Sequence, residues 1–190
     1  MKEGFIKDTY ELVIKEIQTV LSISYITIVG IGMLFSYQKY AEFGINIFDY
    51  SDILDFLIAP FSDIYILLYA FAPVPFVVII LKLDAFSRKK WPKFYSRSNF
   101  GRDKKPWFKM FRMVVFGFAF LLYIYISSEL YGQFAREKVV TGNDISIVYA
   151  DKQVKTGKLI GKTKDVIFLL DGEEVSALPI NSLVKEIKIQ

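Results

Sequence analysis

The sequence predicts an α-helical membrane protein with three transmembrane helices and a small all-β domain at its C-terminus. Hydrophobic residues make up 53% of the 190-residue chain, which exceeds the roughly 45–50% of an ordinary soluble domain. The excess lies in three long apolar blocks before residue 131, whereas residues 135–190 have the composition of a soluble segment. This shift predicts a membrane domain over residues 17–134 and a soluble domain over residues 135–190.

Residues 1–16 predict an amphipathic helix that precedes the first span. Apolar side chains recur at helical spacing at Ile6, Tyr10 and Val13, and charged side chains occupy the opposite face. Such a helix can lie in the membrane interface, or it can extend the first span into the cytosol. The sequence leaves both interpretations open.

The first and third apolar blocks each have the length of a transmembrane helix. Residues 17–37 contain no charged residue, and residues 113–130 contain only Glu129. At 1.5 Å per residue, each block covers most or all of the roughly 30 Å of hydrocarbon. Glu129 is a candidate functional residue because charges at membrane depth are costly. Its place near the end of the span favours a carboxylate that reaches water.

The second span, predicted over residues 64–81, contains Pro73 and Pro75. Each proline withholds a backbone donor, so the carbonyls of Tyr69 and Phe71 need another partner inside a bilayer. We expect a kink near the middle of this helix. The kink is either a functional hinge beside a transport path or a proline that packing tolerates, and the second interpretation is favoured.

The loops predict the orientation of the chain. Residues 82–112 carry eleven lysines and arginines against two aspartates, whereas residues 38–63 carry one lysine against five acidic residues. The positive-inside rule therefore predicts a multi-pass protein of a cytoplasmic (inner) membrane, with the N-terminus and the basic loop 82–112 in the cytoplasm. With three spans, the β domain lies outside.

Residues 43–61 predict a short interfacial or re-entrant helix between the first two spans. Ser51 is a candidate N-cap, and Ile53, Leu54 and Ile58 then share one face. The aspartates within this segment argue against a full span.

The C-terminal residues alternate as β-strands do. Five segments qualify, at residues 144–150, 153–161, 165–170, 173–179 and 182–189, and Asp171-Gly172 predicts a tight hairpin between the third and the fourth. Five short strands in about fifty residues, with a short connection before the last, resemble a small SH3-like barrel. This resemblance covers the C-terminal domain alone.

The basic loop is the candidate binding surface. Its aromatic residues are interleaved with candidate lipid- or partner-binding residues: Arg88, Lys89, Lys90, Arg102, Lys104 and Lys105. Such a mixture suits anionic lipid headgroups at a membrane surface. It also suits nucleic acid or a cytosolic protein, but the lipid interpretation needs no assumption beyond the location and is favoured.

Composition excludes several chemistries. The chain has no cysteine and no histidine, so disulfides, thiolate catalysis, imidazole-activated nucleophiles and His- or Cys-ligated metals are absent. No phosphate-binding loop, dinucleotide-binding or calcium-binding motif occurs either. We therefore expect no enzymatic activity, no metal and no cofactor.

Two classes of function remain. The first is a non-enzymatic membrane protein that forms homo-oligomers and uses its β domain for interaction with a protein partner or for sensing, as in a bacterial envelope scaffold, an immunity protein or a phage-defence component. The alternative is a pore or transport component whose path lies near Pro73, Pro75 and Glu129. The first is favoured because no predicted span carries a polar stripe.

Overall fold

The computed structural model describes residues 2–102, 105–149, 153–180 and 184–189. The helices of these residues are α1 (Lys2–Ala41), α2 (Ile53–Ser62), α3 (Ile64–Phe71), α4 (Pro73–Lys90), α5 (Pro92–Ser98) and α6 (Phe108–Thr141), with a 3-10 helix at Ile47–Asp49. The strands are β1 (Asp144–Tyr149), β2 (Val154–Lys162), β3 (Val166–Asp171), β4 (Glu174–Pro179) and β5 (Val184–Ile189). Helices thus fill the first part of the chain and strands the last.

Three helical segments are long and apolar enough to cross a membrane. They are Glu16–Ala41, Ile64–Ser87 and Met110–Thr141. α1 runs without a break from Lys2, so the N-terminal segment and the first span form one helix. α6 has 34 residues and continues without a break past the expected domain boundary at residue 135, to Thr141 shortly before β1. The helices are compatible with a multi-pass membrane protein.

The helix of the second span is interrupted next to Pro73, where the sequence predicts a kink. α3 ends at Phe71, and α4 begins with Pro73 as its first residue. The hydroxyl of Tyr123 on α6 donates a 2.8 Å hydrogen bond to the carbonyl oxygen of Tyr69. The carbonyl that Pro73 leaves free therefore receives its replacement donor from a neighbouring helix.

α2 is the short helix expected within residues 43–61, but its cap differs from the prediction. Asp52, and not Ser51, accepts hydrogen bonds from the backbone of Leu54 and Asp55, and the Asp55 side chain accepts one from the Asp52 backbone. The first backbone N–H groups of a helix have no partner within the helix, and this reciprocal pair of aspartates accepts hydrogen bonds from more of them than a single serine would. α2 packs on α1 where Gly32 lies against the Phe56 carbonyl, since a β-carbon at Gly32 would overlap that oxygen.

The strands form one antiparallel sheet in the order β4-β3-β2-β1-β5. The first four are consecutive neighbours, and β5 returns to pair with β1. β4 and β5 are the outer strands of this order, so the sheet is open and closure into an SH3-like barrel is not confirmed. In the hairpin, Asp171 is still paired with Glu174, and Gly172 opens the turn with φ +63°. The predicted turn therefore starts one residue later.

Buried apolar side chains form three clusters. One lies among the spans and includes Phe35, Ile66 and Tyr131. One belongs to the sheet and consists of Ile145, Ile147, Ile167, Leu169 and Leu178. The third joins the helix ends to the sheet and consists of Val29, Tyr40, Ile45, Ile47, Phe56, Ile160 and Phe168. The sheet therefore has its own core on one face and rests on the membrane domain with the other.

Candidate functional site

The contact between the sheet and the helix ends is built around Phe168. Its ring meets the ring of Tyr40 at a centroid distance of 5.3 Å and the ring of Tyr50 at 5.2 Å, both edge to face. Ile167, Phe168 and Leu169 are consecutive and all buried, which a strand permits only when both of its faces are covered. We call this contact the junction.

A β-bulge in β2 shapes the junction. Leu159 pairs with Leu169 and Gly161 pairs with Phe168, so Ile160 is an extra residue in its strand. Such bulges bend a strand and redirect side chains. Ile160 is 1% exposed and packs in the same cluster as Phe168. The bulge therefore turns the strand toward the membrane domain.

Gly161 follows the bulge and leaves room for two polar side chains of α1. A β-carbon at this position would lie 3.0 Å from Cζ of Tyr40 and 3.3 Å from Nζ of Lys39. The ammonium of Lys39 also lies 5.4 Å from the centroid of the Tyr40 ring. The last turn of α1 thus brings a lysine and a tyrosine against the backbone of β2.

Two polar contacts fix the sheet further. The backbone N–H of Lys164 donates to Oδ1 of Asp55 at 3.2 Å, which links the β2–β3 turn to α2. The ammonium of Lys158 donates to the carbonyl of Val140 near the end of α6. The sheet is thus held by α1, α2 and α6 together.

A cleft of about 660 Å³ opens beside the junction. It lies between the end of α1, α2, the start of α3, Tyr131 of α6 and the turn after β2. Its polar and charged lining consists of Ser36, Lys39, Tyr40, Ser51, Asp52, Asp55, Ser62, Asp63, Tyr131, Lys162, Thr163 and Lys164. The volume is within the range of about 300–1,000 Å³ that is usual for small-molecule sites. This cleft is the candidate functional site.

The charged groups of the cleft differ in their partners. Asp63 accepts a 2.9 Å hydrogen bond from the hydroxyl of Tyr131 and a 3.0 Å bond from the backbone of Tyr65. Lys39 is half-buried, and within the described part of the chain it has no carboxylate within 4.0 Å. Among these residues, no three acidic side chains are grouped so as to hold a metal ion. The site is therefore a mixed-charge cleft.

The basic loop lies at the opposite end of α6 from the sheet. The side chains of Lys89, Lys90, Arg102 and Lys105 are exposed. Lys104 lies outside the described residues, and of Arg88 only the backbone is described. Exposed apolar side chains accompany these cations, among them Trp91, Phe94, Phe100 and Trp107. The described cations and aromatic side chains of the loop are therefore accessible at the protein surface, and their contact with lipid stays a prediction.

One basic residue of the loop has a structural role. Arg112 donates to Oδ2 of Asp84 at 2.8 Å and to the hydroxyl of Tyr95 at 2.6 Å. Tyr95 is buried. These contacts join α4, α5 and α6, so the loop is folded against the helices that it connects.

The structure does not bring the predicted pore residues into the cleft. Pro73 and Pro75 lie in the first turn of α4, and Glu129 is exposed on α6. None of the three is among the described residues that line the cleft. Because Tyr123 bonds the carbonyl freed by Pro73, that carbonyl needs no water as its partner.

The cleft residues were missed by the sequence analysis because they come from distant segments. Lys39 lies near the end of the first span, Asp63 directly precedes the second, and Tyr131 belongs to the third. One signal was present: Lys39 is the single basic residue in an acidic loop. A single basic residue among acidic ones suggests that its side chain has a specific contact or ligand.

Comparison of the chain with models of protein families, with curated proteins and with solved structures finds no match.

Proposed function

We propose that the protein is a non-enzymatic integral membrane protein that forms homo-oligomers and uses its β domain as an interaction or sensing module. One observation carries the proposal. The β domain is not tethered by a flexible linker: it shares a buried apolar cluster, including Tyr40, Phe56, Ile160 and Phe168, with the helix ends. Binding at the sheet is thereby mechanically coupled to the membrane domain.

The coupling follows from the packing. Protein interiors are packed about as densely as crystals of small organic molecules, so a core side chain that is displaced also moves its neighbours. Phe168 contacts Tyr40 at the end of α1, and the turn after β2 is bonded to Asp55 on α2. A partner or ligand that shifts the sheet therefore changes the relative positions of α1 and α2.

The exposed surface of the spans supports oligomerisation. Buried residues make up 22%, 12% and 11% of the apolar windows of the three spans. Each span therefore presents most of its surface to lipid or to another copy. Gly30 adds to this surface, since an added β-carbon would meet nothing within 4 Å, and small residues favour close approach of helices in membranes.

The orientation and the host membrane are part of the proposal. The loop charges support a cytoplasmic N-terminus and basic loop, with the β domain on the outer side of a bacterial inner membrane. Exposed cations and aromatic residues support contact of the basic loop with anionic headgroups. An envelope scaffold, an immunity protein and a phage-defence component all fit this arrangement.

The sheet order supports an SH3-like arrangement within the β domain. In the order β4-β3-β2-β1-β5, four consecutive strands form a meander and the fifth returns to pair with the first. A sheet with this strand order can bend into a small barrel. We propose that the cluster around Ile147 and Leu169 is the interior of this curl.

Particle mass and conductance in lipid nanodiscs and planar bilayers test the functional proposal. We expect a mass of two or more copies and no reproducible ion current. A strictly monomeric particle would contradict the oligomer. Reproducible currents that Glu129→Gln abolishes would instead establish the pore alternative, and Glu137→Gln, an exposed carboxylate on the same helix, is the matched control.

A further inference from the structure

The cleft lies at a membrane boundary. Lys39 is two residues from the end of the first apolar segment, Glu16–Ala41, and Asp63 directly precedes the second, Ile64–Ser87. Both side chains line the cleft. The polar lining is therefore at the level of the lipid headgroups, where phosphates and amines are the abundant ligands.

The mouth of the cleft is apolar on the side of α2. Leu54 and Ile58 line the cleft and are 59% and 55% exposed. α2 is only ten residues long, about 15 Å, so it lies beside the spans and does not cross the bilayer. A molecule in the cleft can thus place polar groups inside and apolar chains along α2.

Charge in the cleft is balanced. Three cations line it, Lys39, Lys162 and Lys164, and so do three carboxylates, Asp52, Asp55 and Asp63. In the described part of the chain, none of these six takes part in an ion pair within 4.0 Å. A ligand with one anionic and one cationic group matches this pattern better than a purely anionic one.

The carboxylates can accept further donors. Asp63 and Asp55 each accept two hydrogen bonds from the chain, and an ionised carboxylate has about four acceptor positions. A primary ammonium supplies three N–H donors. A quaternary ammonium supplies none and cannot use these positions.

We propose that the cleft binds the headgroup of a phospholipid of the phosphatidylethanolamine class. Its phosphate contacts the ammonium of Lys39, with Lys162 at the rim. Its primary ammonium contacts Asp63 and Asp55, and its acyl chains lie along Leu54 and Ile58. This inference deepens the proposed function by naming a ligand for the sensing module, and it rests on that proposal for the membrane setting.

Native mass spectrometry of the full chain tests the assignment. The protein is released from micelles that contain equal amounts of phosphatidylethanolamine, phosphatidylcholine and phosphatidylglycerol. We expect phosphatidylethanolamine to be the dominant retained lipid. Lys39→Met and Asp63→Asn should each lower its retention about tenfold, as expected for the loss of a charge-assisted contact. Asp63→Asn keeps one acceptor oxygen for the helix cap at Tyr65, and its amide nitrogen can donate to the Tyr131 hydroxyl, so it removes charge with little change in packing.

Two variants separate binding from folding and from general lipid contact. Lys162→Met, on the exposed rim, should lower retention about two- to threefold even if Lys39→Met does not fold. Lys89→Met, an exposed cation in the basic loop, should leave phosphatidylethanolamine retention unchanged. The same spectra report copy number, so loss of the oligomer and loss of the lipid are read independently.

Three results would overturn the assignment. The first is equal retention of the three lipids in wild type and in Lys39→Met, which indicates unspecific annular lipid. The second is dominant phosphatidylglycerol, which indicates a purely anionic site. The third is full displacement by water-soluble phosphoethanolamine at equal concentration, which indicates a soluble ligand that makes no use of Leu54 and Ile58.

Discussion

The hydroxyl of Tyr123 donates a 2.8 Å hydrogen bond to the carbonyl oxygen of Tyr69, the acceptor that Pro73 deprives of its usual backbone partner. The two residues lie on different spans. In hydrocarbon an unsatisfied carbonyl is costly, so this contact lets the second span tolerate its proline. It also ties α3 to α6, where Tyr123 is half-buried.

Tyr123→Phe should lower the free energy of unfolding by about 1–2 kcal/mol, because the Tyr69 carbonyl loses its donor. In a Pro73→Ala background residue 73 regains an N–H, and the same change should cost much less. A double-mutant cycle followed by thermal unfolding in micelles measures the difference. Tyr125→Phe, on the exposed side of α6, is the matched control. Equal losses with and without Pro73 would contradict the assigned role of Tyr123.

Gly32→Ala should destabilise the membrane domain by about 1–3 kcal/mol, because the added β-carbon meets the Phe56 backbone and forces α2 away from α1. Gly117→Ala, in α6, is the control for replacing a glycine within a span, with nothing within 4 Å of its β-carbon. It should be neutral or slightly stabilising. The loss of folded protein on heating in micelles distinguishes them. Similar melting curves for the two variants would argue against the α1–α2 contact.

Gly172→Val should destabilise the β3–β4 hairpin by more than about 1 kcal/mol, since a β-branched residue is strained at φ +63°. No atom lies within 4 Å of the added β-carbon, so the effect is one of backbone conformation. Hydrogen exchange of the β3 and β4 amides should quicken about fivefold or more. Gly172→Asn should change exchange less, because asparagine tolerates this region. Unchanged exchange in the valine variant would refute the turn.

Phe100 provides a test of lipid contact by the basic loop. Its side chain is 86% exposed, and its φ of 54° is uncommon for a bulky residue. The chain has two tryptophans, Trp91 and Trp107, both in this loop, so its tryptophan fluorescence reports the loop alone. We expect brominated anionic lipids to quench this fluorescence and Phe100→Asn to weaken the quenching without loss of stability.

Charge reversal at Arg88, Lys89 and Lys90 tests whether electrostatic attraction holds the basic loop on anionic lipid. It should reduce quenching strongly at low salt, because surface electrostatics are screened as ionic strength rises. The β domain should stay folded, since it lies at the other end of α6. Absence of quenching in the unsubstituted protein would place the loop away from the bilayer, and quenching that neither change weakens would contradict the role of these residues in lipid contact.

Local patterns account for what the sequence predicts well. The apolar runs and the period of two in the strands depend on neighbouring residues, so all three spans are found and the five strands lie close to their predicted limits. The second and third spans extend beyond the predicted ends at residues 81 and 130, to Ser87 and Thr141, because the helices continue past their most apolar stretches. The free Tyr69 carbonyl also follows from a local rule, and the structure confirms its need for a second donor. Cap choice was wrong at Ser51 because Asp52 and Asp55 compete for the same donors.

Long-range packing accounts for what the sequence does not predict. The contact of Phe168 with Tyr40 joins residues more than a hundred positions apart. The periodicity of neither segment predicts this contact. Tyr131 and Asp63 lie 68 positions apart, and no local pattern predicts their hydrogen bond. The cleft therefore becomes visible only when the ends of the spans and the sheet are placed together.

Orientation of the chain is the decisive measurement for the proposed function, because an interaction or sensing module of this kind is proposed on the outer side of the membrane. The chain has no cysteine, so Glu173→Cys in the exposed β3–β4 turn and Lys89→Cys in the basic loop each give a single thiol. We expect a membrane-impermeant maleimide to label Glu173→Cys in cells with an intact cytoplasmic membrane and to label Lys89→Cys only after that membrane is permeabilised. The reverse pattern, with Lys89→Cys labelled in intact cells and Glu173→Cys protected, would contradict the proposed orientation.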